Sequence, residues 1–166
     1  MSTTTMPSSL EIARAAKLLP PAEIAAQIGI PEDALLPYGR HVAKVDPAIA
    51  DRLADRPQGT YVVVTAITPT PAGEGKTTTS VGLAQGLRHI DRTSVLTLRE
   101  PSVGPTFGIK GGGAGAGYSQ VLPMEQLNLH LTGDFHDVTA ANNLLAAMVS
   151  NHLYHGNALD IDPQSI

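Results

Sequence analysis

Cysteine is absent from the 166 residues, and so is tryptophan. The first absence excludes disulfides, thiol nucleophiles and cysteine-based zinc or iron–sulfur centres. It fits a cytoplasmic protein. Aromatic residues make up only 4% of the chain, so its core has to be aliphatic. Basic residues are outnumbered, giving a net charge of −4. With no general positive field, nucleic acid is not an expected partner. No apolar run approaches the ~20 residues that span a bilayer, so no membrane partner is expected either. The N-terminal twenty residues hold no uninterrupted apolar stretch, and Glu11 breaks the pattern of a transit peptide.

What is present points to a folded domain. Hydrophobic residues make up 42% and charged residues 16%, a balance that disordered chains lack. The length suits one domain with a hydrophobic core. Three short helices are expected first. Ile12, Ala15, Ala16 and Leu19 recur at helical spacing before Pro20-Pro21; residues 21–28 follow, with Gly29 as a stop; residues 47–54 come third, with Asp46 as N-cap. Residues 1–58 thus read as a helical segment that packs against a larger body, residues 59–166.

The larger body begins with Tyr61-Val62-Val63-Val64-Thr65-Ala66-Ile67, an apolar, β-branched run that reads as a buried parallel strand. A Gly-rich loop follows, Thr70-Pro71-Ala72-Gly73-Glu74-Gly75-Lys76-Thr77. Leu83, Leu87 and Ile90 then recur at helical spacing, so a helix should start near Gly75 or Lys76. Residues 94–98 make a second candidate strand. Strand, loop, helix and strand in this order open a doubly wound α/β domain, a P-loop nucleoside triphosphatase-like parallel sheet with flanking helices.

The loop matches G-x-x-x-x-G-K-[ST] except that Thr70 stands at the first glycine. Glycines let backbone N–H groups converge on phosphate oxygens, and the helix behind adds its unpaired N–H groups and dipole. Lys76 would reach the β- and γ-phosphates of ATP, and the Thr77 hydroxyl would coordinate Mg²⁺. A plain strand-to-helix turn is the structural alternative. No guanine-specific motif and no second acidic Mg²⁺ ligand stand out.

Ligands in open parallel sheets sit beyond the carboxyl ends of strands, where Arg99-Glu100 follows the second candidate strand. Arg99 is either a bidentate grip on a carboxylate or phosphate or a solvated surface residue. Lys110 is either a second cation at a polyanion site or a loop lysine. The run 111–117 holds five glycines and is expected to form neither helix nor strand. It matches a relaxed dinucleotide pattern, but no clear strand precedes it, and a loop covering substrate is the better reading. Alternation in Leu127-Asn128-Leu129-His130-Leu131 suggests a strand, and residues 134–153 a long helix capped by Thr132 or Asp134 and ended by Gly156. His130, His136, His152 and His155 lack the H-E-x-x-H spacing of zinc enzymes. His136 and Asp137 read either as caps or as substrate contacts.

Longer stretches carry a resemblance. Residues 65–83, Leu98-Arg99-Glu100-Pro101-Ser102, Phe107-Gly108-Ile109-Lys110-Gly111-Gly112, residues 128–136 and Asn143-Leu144-Leu145-Ala146-Ala147-Met148 together resemble formate–tetrahydrofolate ligases, from about Leu10 to the last residue. The resemblance implies formation of 10-formyltetrahydrofolate from formate, ATP and tetrahydrofolate through formyl phosphate, releasing ADP and phosphate. It implies ATP on residues 70–77, formyl phosphate on Arg99, Mg²⁺ as cofactor, room for a monovalent cation, and a homotetramer. Members of that family are much longer, and their pterin-holding aromatic pair would lie beyond Ile166. The chain therefore reads as an N-terminal fragment with little ligase activity alone. The rival reading is a P-loop switch ATPase that works by dimerising or by binding a protein partner, since such loops also carry Gly-Lys-Thr-Thr.

Overall fold

The computed structural model describes residues 6–68, 70, 73–99, 114–131 and 133–166. It divides into two compact units, residues 1–129 and 130–166.

In the first unit, α1 (Ser9–Ala15) opens on a capping box. The Glu11 N–H donates to Ser8 Oγ at 3.3 Å, and the Ser8 N–H donates back to the Glu11 carboxylate at 2.7 Å. These bonds satisfy two donors that a bare helix start leaves unpaired. They also hold the Glu11 carboxyl below its ordinary range, the backbone N–H of Ser8 contributing most and its hydroxyl next. The helix stops at Ala15, short of the expected Leu19, because residues before Pro20-Pro21 are pushed towards extended backbone.

Helix α2 (Pro21–Gln27) agrees with expectation, with proline in its first turn and Gly29 at φ +75 beyond its end. A 3₁₀ turn, Glu32–Ala34, leads into a hairpin of β1 (Leu35–Pro37) and β2 (Ala43–Val45), with Leu35 opposite Val45. Short helix α3 (Ile49–Arg52) follows. Asp46 is not the N-cap expected of it: that position is Ala48, which receives no side-chain cap bond, and Asp46 Oδ1 instead accepts from the Ala48 N–H at 2.9 Å in the turn before the helix. Ala25, Ala34 and Ile49 are the buried apolar residues of this region.

Helix α4 (Lys76–His89) begins where the sequence places it. Val81 is its buried residue. Arg88 and His89 in the last turn complement the negative end of the helix dipole. A second small hairpin, β3 (Gly115–Ala116) with β4 (Ser119–Gln120), packs against α4. This corrects the expectation that the glycine run forms no strand. Glycine's entropy cost is real, but Gly117 at φ +58 supplies the positive φ that a two-residue hairpin turn needs. Gly115 is required in its place: a Cβ there would lie 2.0 Å from the Ser119 carbonyl oxygen.

The hairpin ties the N-terminal helix to the rest of the unit. The Gly117 N–H donates to Ser9 Oγ at 2.9 Å, and the buried Gln120 donates through Nε2 to the Ser9 carbonyl at 2.9 Å. Residues 127–131 were expected as a strand; the structure instead has α5 (Met124–Leu129). Met124 and Leu127 stand three residues apart, so the apolar set also fits a helix that begins one turn earlier. Pro123 lies just before that start, where its missing N–H costs nothing.

The expected parallel strands are the principal difference. Residues 61–67 and 94–98 carry no strand pairing among the described residues, whose sheets are the two antiparallel hairpins. Tyr61 is 83% and Val95 65% exposed. A parallel strand is held by neighbours on both sides and helices on both faces, and without them an apolar run stays open to water.

The second unit is built on α6 (Asp134–Tyr154), which follows Gly133 at φ +139. Beyond its end, Gly156 has φ +103, and the Asn157 side chain closes a turn by bonding both backbone groups of Ile161 at 2.9 Å. Phe135, Val138, Leu145 and Met148 are exposed along this helix. No helix of the described residues is long and apolar enough to cross a membrane.

Candidate phosphate-binding site

The loop before α4 is shaped by two left-handed glycines, Gly73 at φ +83 and Gly75 at φ +73. Gly75 is the residue on which the helix starts. A side chain is strained in that conformation, and glycine reverses the chain without cost. The reversal places Lys76 and Thr77 in the first helical turn, beside N–H groups that have no partner within the helix. The Thr79 N–H bonds the Gly75 carbonyl at 2.8 Å, and Ser80 Oγ bonds the Lys76 carbonyl at 2.8 Å, which fixes this turn from both ends. The Gly73 N–H donates to the Thr70 carbonyl at 3.1 Å.

Glu74 is the centre of the loop's polar contacts. Its Oε1 accepts from the Thr70 N–H and its Oε2 from Lys76 Nζ. The Lys76 ammonium, then the Thr70 N–H, hold the Glu74 carboxyl down at about 2. The carboxylate is more sheltered than its partner, 17% against 45% exposed. The motif pattern counts Glu74 only as one of four variable positions between the glycines. Its role in joining Thr70 to Lys76 is not part of the motif reading, and an acidic residue two before the motif lysine is the signal the sequence offers.

Of the residues expected here, the structure brings together Thr70, Gly73, Glu74, Gly75, Lys76 and Thr77. Pro71 and Ala72 lie outside the described residues, as do Glu100 and Lys110. Arg99 is exposed, and among the described residues it makes no ion pair with this cluster. The helix that should follow the loop is present, whereas the strand that should precede it is not formed.

His136 and Asp137 do not cap α6, which has no side-chain cap. They face His130: the two imidazoles stack 4.5 Å apart, and Asp137 Oδ1 lies 3.4 Å from His130 Nε2. Among the described residues no group of three His, Asp or Glu side chains could hold a metal ion.

Comparison with known proteins decides the family. The family model described as formate–tetrahydrofolate ligase matches residues 7–166. The chain belongs to the formate–tetrahydrofolate ligase family. It is 68% identical over 161 residues to a formate–tetrahydrofolate ligase of Cutibacterium acnes (strain DSM 16379 / KPA171202), covering 97% of this chain and 29% of that protein. It is 62% identical over 161 residues to one from Roseiflexus sp. (strain RS-1), covering 97% of this chain and 28% of that protein. A Methylobacterium sp. (strain 4-46) relative of the same name is 59% identical over 161 residues, 97% of this chain and 29% of its own length. This member of the ligase family thus spans under a third of the length of the curated relatives it matches. The switch-ATPase alternative finds no support in these matches.

Proposed function

We propose that this chain carries the ATP-binding part of a formate–tetrahydrofolate ligase. One observation supports this above the others: the left-handed Gly75 delivers Lys76 and Thr77 into the first turn of α4. A triphosphate placed there meets an ammonium, a hydroxyl and unpaired helix N–H groups. Residues 59–166 would then be the first part of a P-loop nucleotide-binding domain, with 1–58, which carries the β1–β2 hairpin as well as short helices, packed on it.

The chemistry needs such a site. A formate carboxylate is a poor electrophile. Attack of its oxygen on the γ-phosphorus, with the bond to the ADP oxygen breaking, turns it into formyl phosphate. The N10 amine of tetrahydrofolate then attacks the formyl carbon, phosphate leaves, and the amine loses its proton. Phosphoryl transfer is accelerated mainly by placing positive charge on the equatorial and leaving oxygens. Lys76 is assigned to the β- and γ-phosphates, and Arg99 to formyl phosphate, for which the planar guanidinium suits the two oxygens. Thr77, half-buried in the first turn, supplies one hydroxyl to Mg²⁺, which when bound would neutralise phosphate charge. Among the described residues no group of three acidic or histidine side chains stands ready to complete its shell. A cytoplasmic setting and a homo-oligomer for the whole protein go with this proposal.

The test is binding and turnover by the purified 166-residue chain. ATP should bind and Lys76→Ala should abolish or strongly weaken that binding. Formate, ATP and tetrahydrofolate together should give little 10-formyltetrahydrofolate. Wild-type affinity for ATP in Lys76→Ala would remove the assignment, and robust product formation would show that the site is complete without further chain.

A further inference from the structure

This inference rests on the reading of residues 70–77 as a phosphate loop. We propose that Glu74 is an internal substitute for phosphate: in the free chain its carboxylate occupies the loop's anion-binding donors, and a triphosphate binds only by displacing it. The two donors it takes are a backbone N–H, from Thr70, and an ammonium, from Lys76. These are the two kinds of donor with which such a loop grips phosphate oxygens. A solvated surface ion pair would need only the lysine. Here one carboxylate spans both donors, one oxygen on each, as two oxygens of a phosphate would.

The backbone around Glu74 allows the exchange. It is flanked by Gly73 and Gly75, both with positive φ, and among the described residues nothing stands within 4 Å of the position a Cβ would take on either. Glycines on either side give the intervening residue two freely rotating joints. Glu74 can therefore swing out while α4, anchored by the Thr79 and Ser80 bonds, keeps Lys76 and Thr77 in place. The low carboxyl value of Glu74 keeps it ionised throughout the neutral range, so the competition is present whenever the ligand is charged. The physical consequence is a lower apparent affinity: a ligand that needs the open loop binds more weakly in proportion to the fraction of chains in which the loop is open. It also keeps an empty site from offering unpaired cationic donors to other small anions.

The experiment compares the wild-type chain with Glu74→Gln, using inorganic triphosphate as the probe in calorimetry at low salt. The Gln side chain keeps the shape and loses the charge. If nine chains in ten hold the latch closed, Glu74→Gln binds triphosphate about tenfold more tightly. Independently of any ligand, the Thr70 amide proton, deshielded by a carboxylate in the wild type, should move upfield in Glu74→Gln while the α4 amide signals stay in place. Equal or weaker triphosphate binding by Glu74→Gln overturns the proposal, and so does a Thr70 amide that does not move. A Thr70 amide that moves as expected while neither protein binds triphosphate overturns instead the phosphate-loop reading beneath it.

Discussion

Arg14 and Glu125 are 111 residues apart in sequence, yet the Arg14 guanidinium donates to the Glu125 carboxylate at 2.7 Å. The contact joins α1 to α5 within the first unit. Both side chains are more than half exposed, so solvent and salt screen it. Arg14→Ala should change stability only slightly in chemical denaturation. Its sign with pH is fixed: Arg14 holds the Glu125 carboxyl below its ordinary value. The stabilisation is present above the ordinary carboxylate range and fades as pH falls through the depressed value. A wild type and Arg14→Ala that converge in stability at low pH would agree with this; a difference that grows on acidification would not.

The capping box at α1 contributes through hydrogen bonds rather than charge alone. Ser8→Ala removes the acceptor for the Glu11 N–H and should destabilise by about 1 kcal/mol. Because Ser9 on the same helix accepts from Gly117 and is reached by Gln120, fraying should extend to the hairpin. Amide exchange at Gly117 should therefore speed up in Ser8→Ala, and unchanged exchange there would show that the helix start and the hairpin are independent.

Two glycines should respond to alanine with opposite sign. At Gly115, φ is +90 and the added Cβ would meet the Ser119 carbonyl at 2.0 Å, with backbone on both sides and no flexible tip to yield. Gly115→Ala should lose the hairpin and about 1–3 kcal/mol or more. Gly86 lies inside α4, and among the described residues nothing stands within 4 Å of its would-be Cβ. Gly86→Ala should gain about 0.5–1 kcal/mol, since a helical glycine only costs entropy. Thermal unfolding of both variants checks the pair; destabilisation by Gly86→Ala would mean that α4 is packed on that face.

The sequence announces whatever depends on a few neighbouring residues. Gly29 and Gly156 mark helix ends because left-handed backbone is needed there, and Gly75-Lys76 marks the start of α4 for the same reason. What depends on distant partners is less legible. Residues 61–67 have the composition of a buried strand, but pairing is a property of two segments, and among the described residues no second strand lies alongside. Leu127 to Leu131 misled because five residues cannot separate a period of two from one of 3.6. At the site, the motif names Lys76 and Thr77 but is silent on Glu74, since the variable positions of a pattern carry no instruction about which side chain folds back. Arg99 was legible as a type of residue, and it stands exposed with no ion pair to the loop among the described residues.

Glu74 gives a pH signature of its own. Its carboxyl is held at about 2 by Lys76 and the Thr70 N–H, against an unfolded value near 4.5. Whatever stability the contact adds is complete above the unfolded value and lost as pH falls from there towards 2. In Lys76→Ala the largest cause of the depression is gone, so the Glu74 carboxyl carbon should titrate closer to 4.5 by nuclear magnetic resonance. Titration at about 2 in that variant would assign the shift to Thr70 alone.

Lys76 and Arg99 should fail in different ways if one holds ATP and the other the reacting group. Lys76→Ala removes a contact to the β- and γ-phosphates and, because Lys76 also neutralises Glu74, leaves an unpaired carboxylate beside them. Nucleotide affinity and turnover should both fall, and Glu74→Gln should restore part of the affinity, making the double variant less impaired than Lys76→Ala alone. Arg99→Ala, placed in a ligase of the length of the relatives, should leave ATP affinity nearly intact. It should instead lower formate-dependent turnover by about 30- to 1,000-fold, the equivalent of about 2–4 kcal/mol for a charge-assisted contact to a buried anion. Arg99→Lys should rescue poorly, because an ammonium cannot present two parallel N–H donors. ATP affinity and formate-dependent ADP release, measured for each variant, separate the roles. Loss of ATP binding in Arg99→Ala with turnover spared at saturating ATP would reverse the assignment and place Arg99 on the nucleotide.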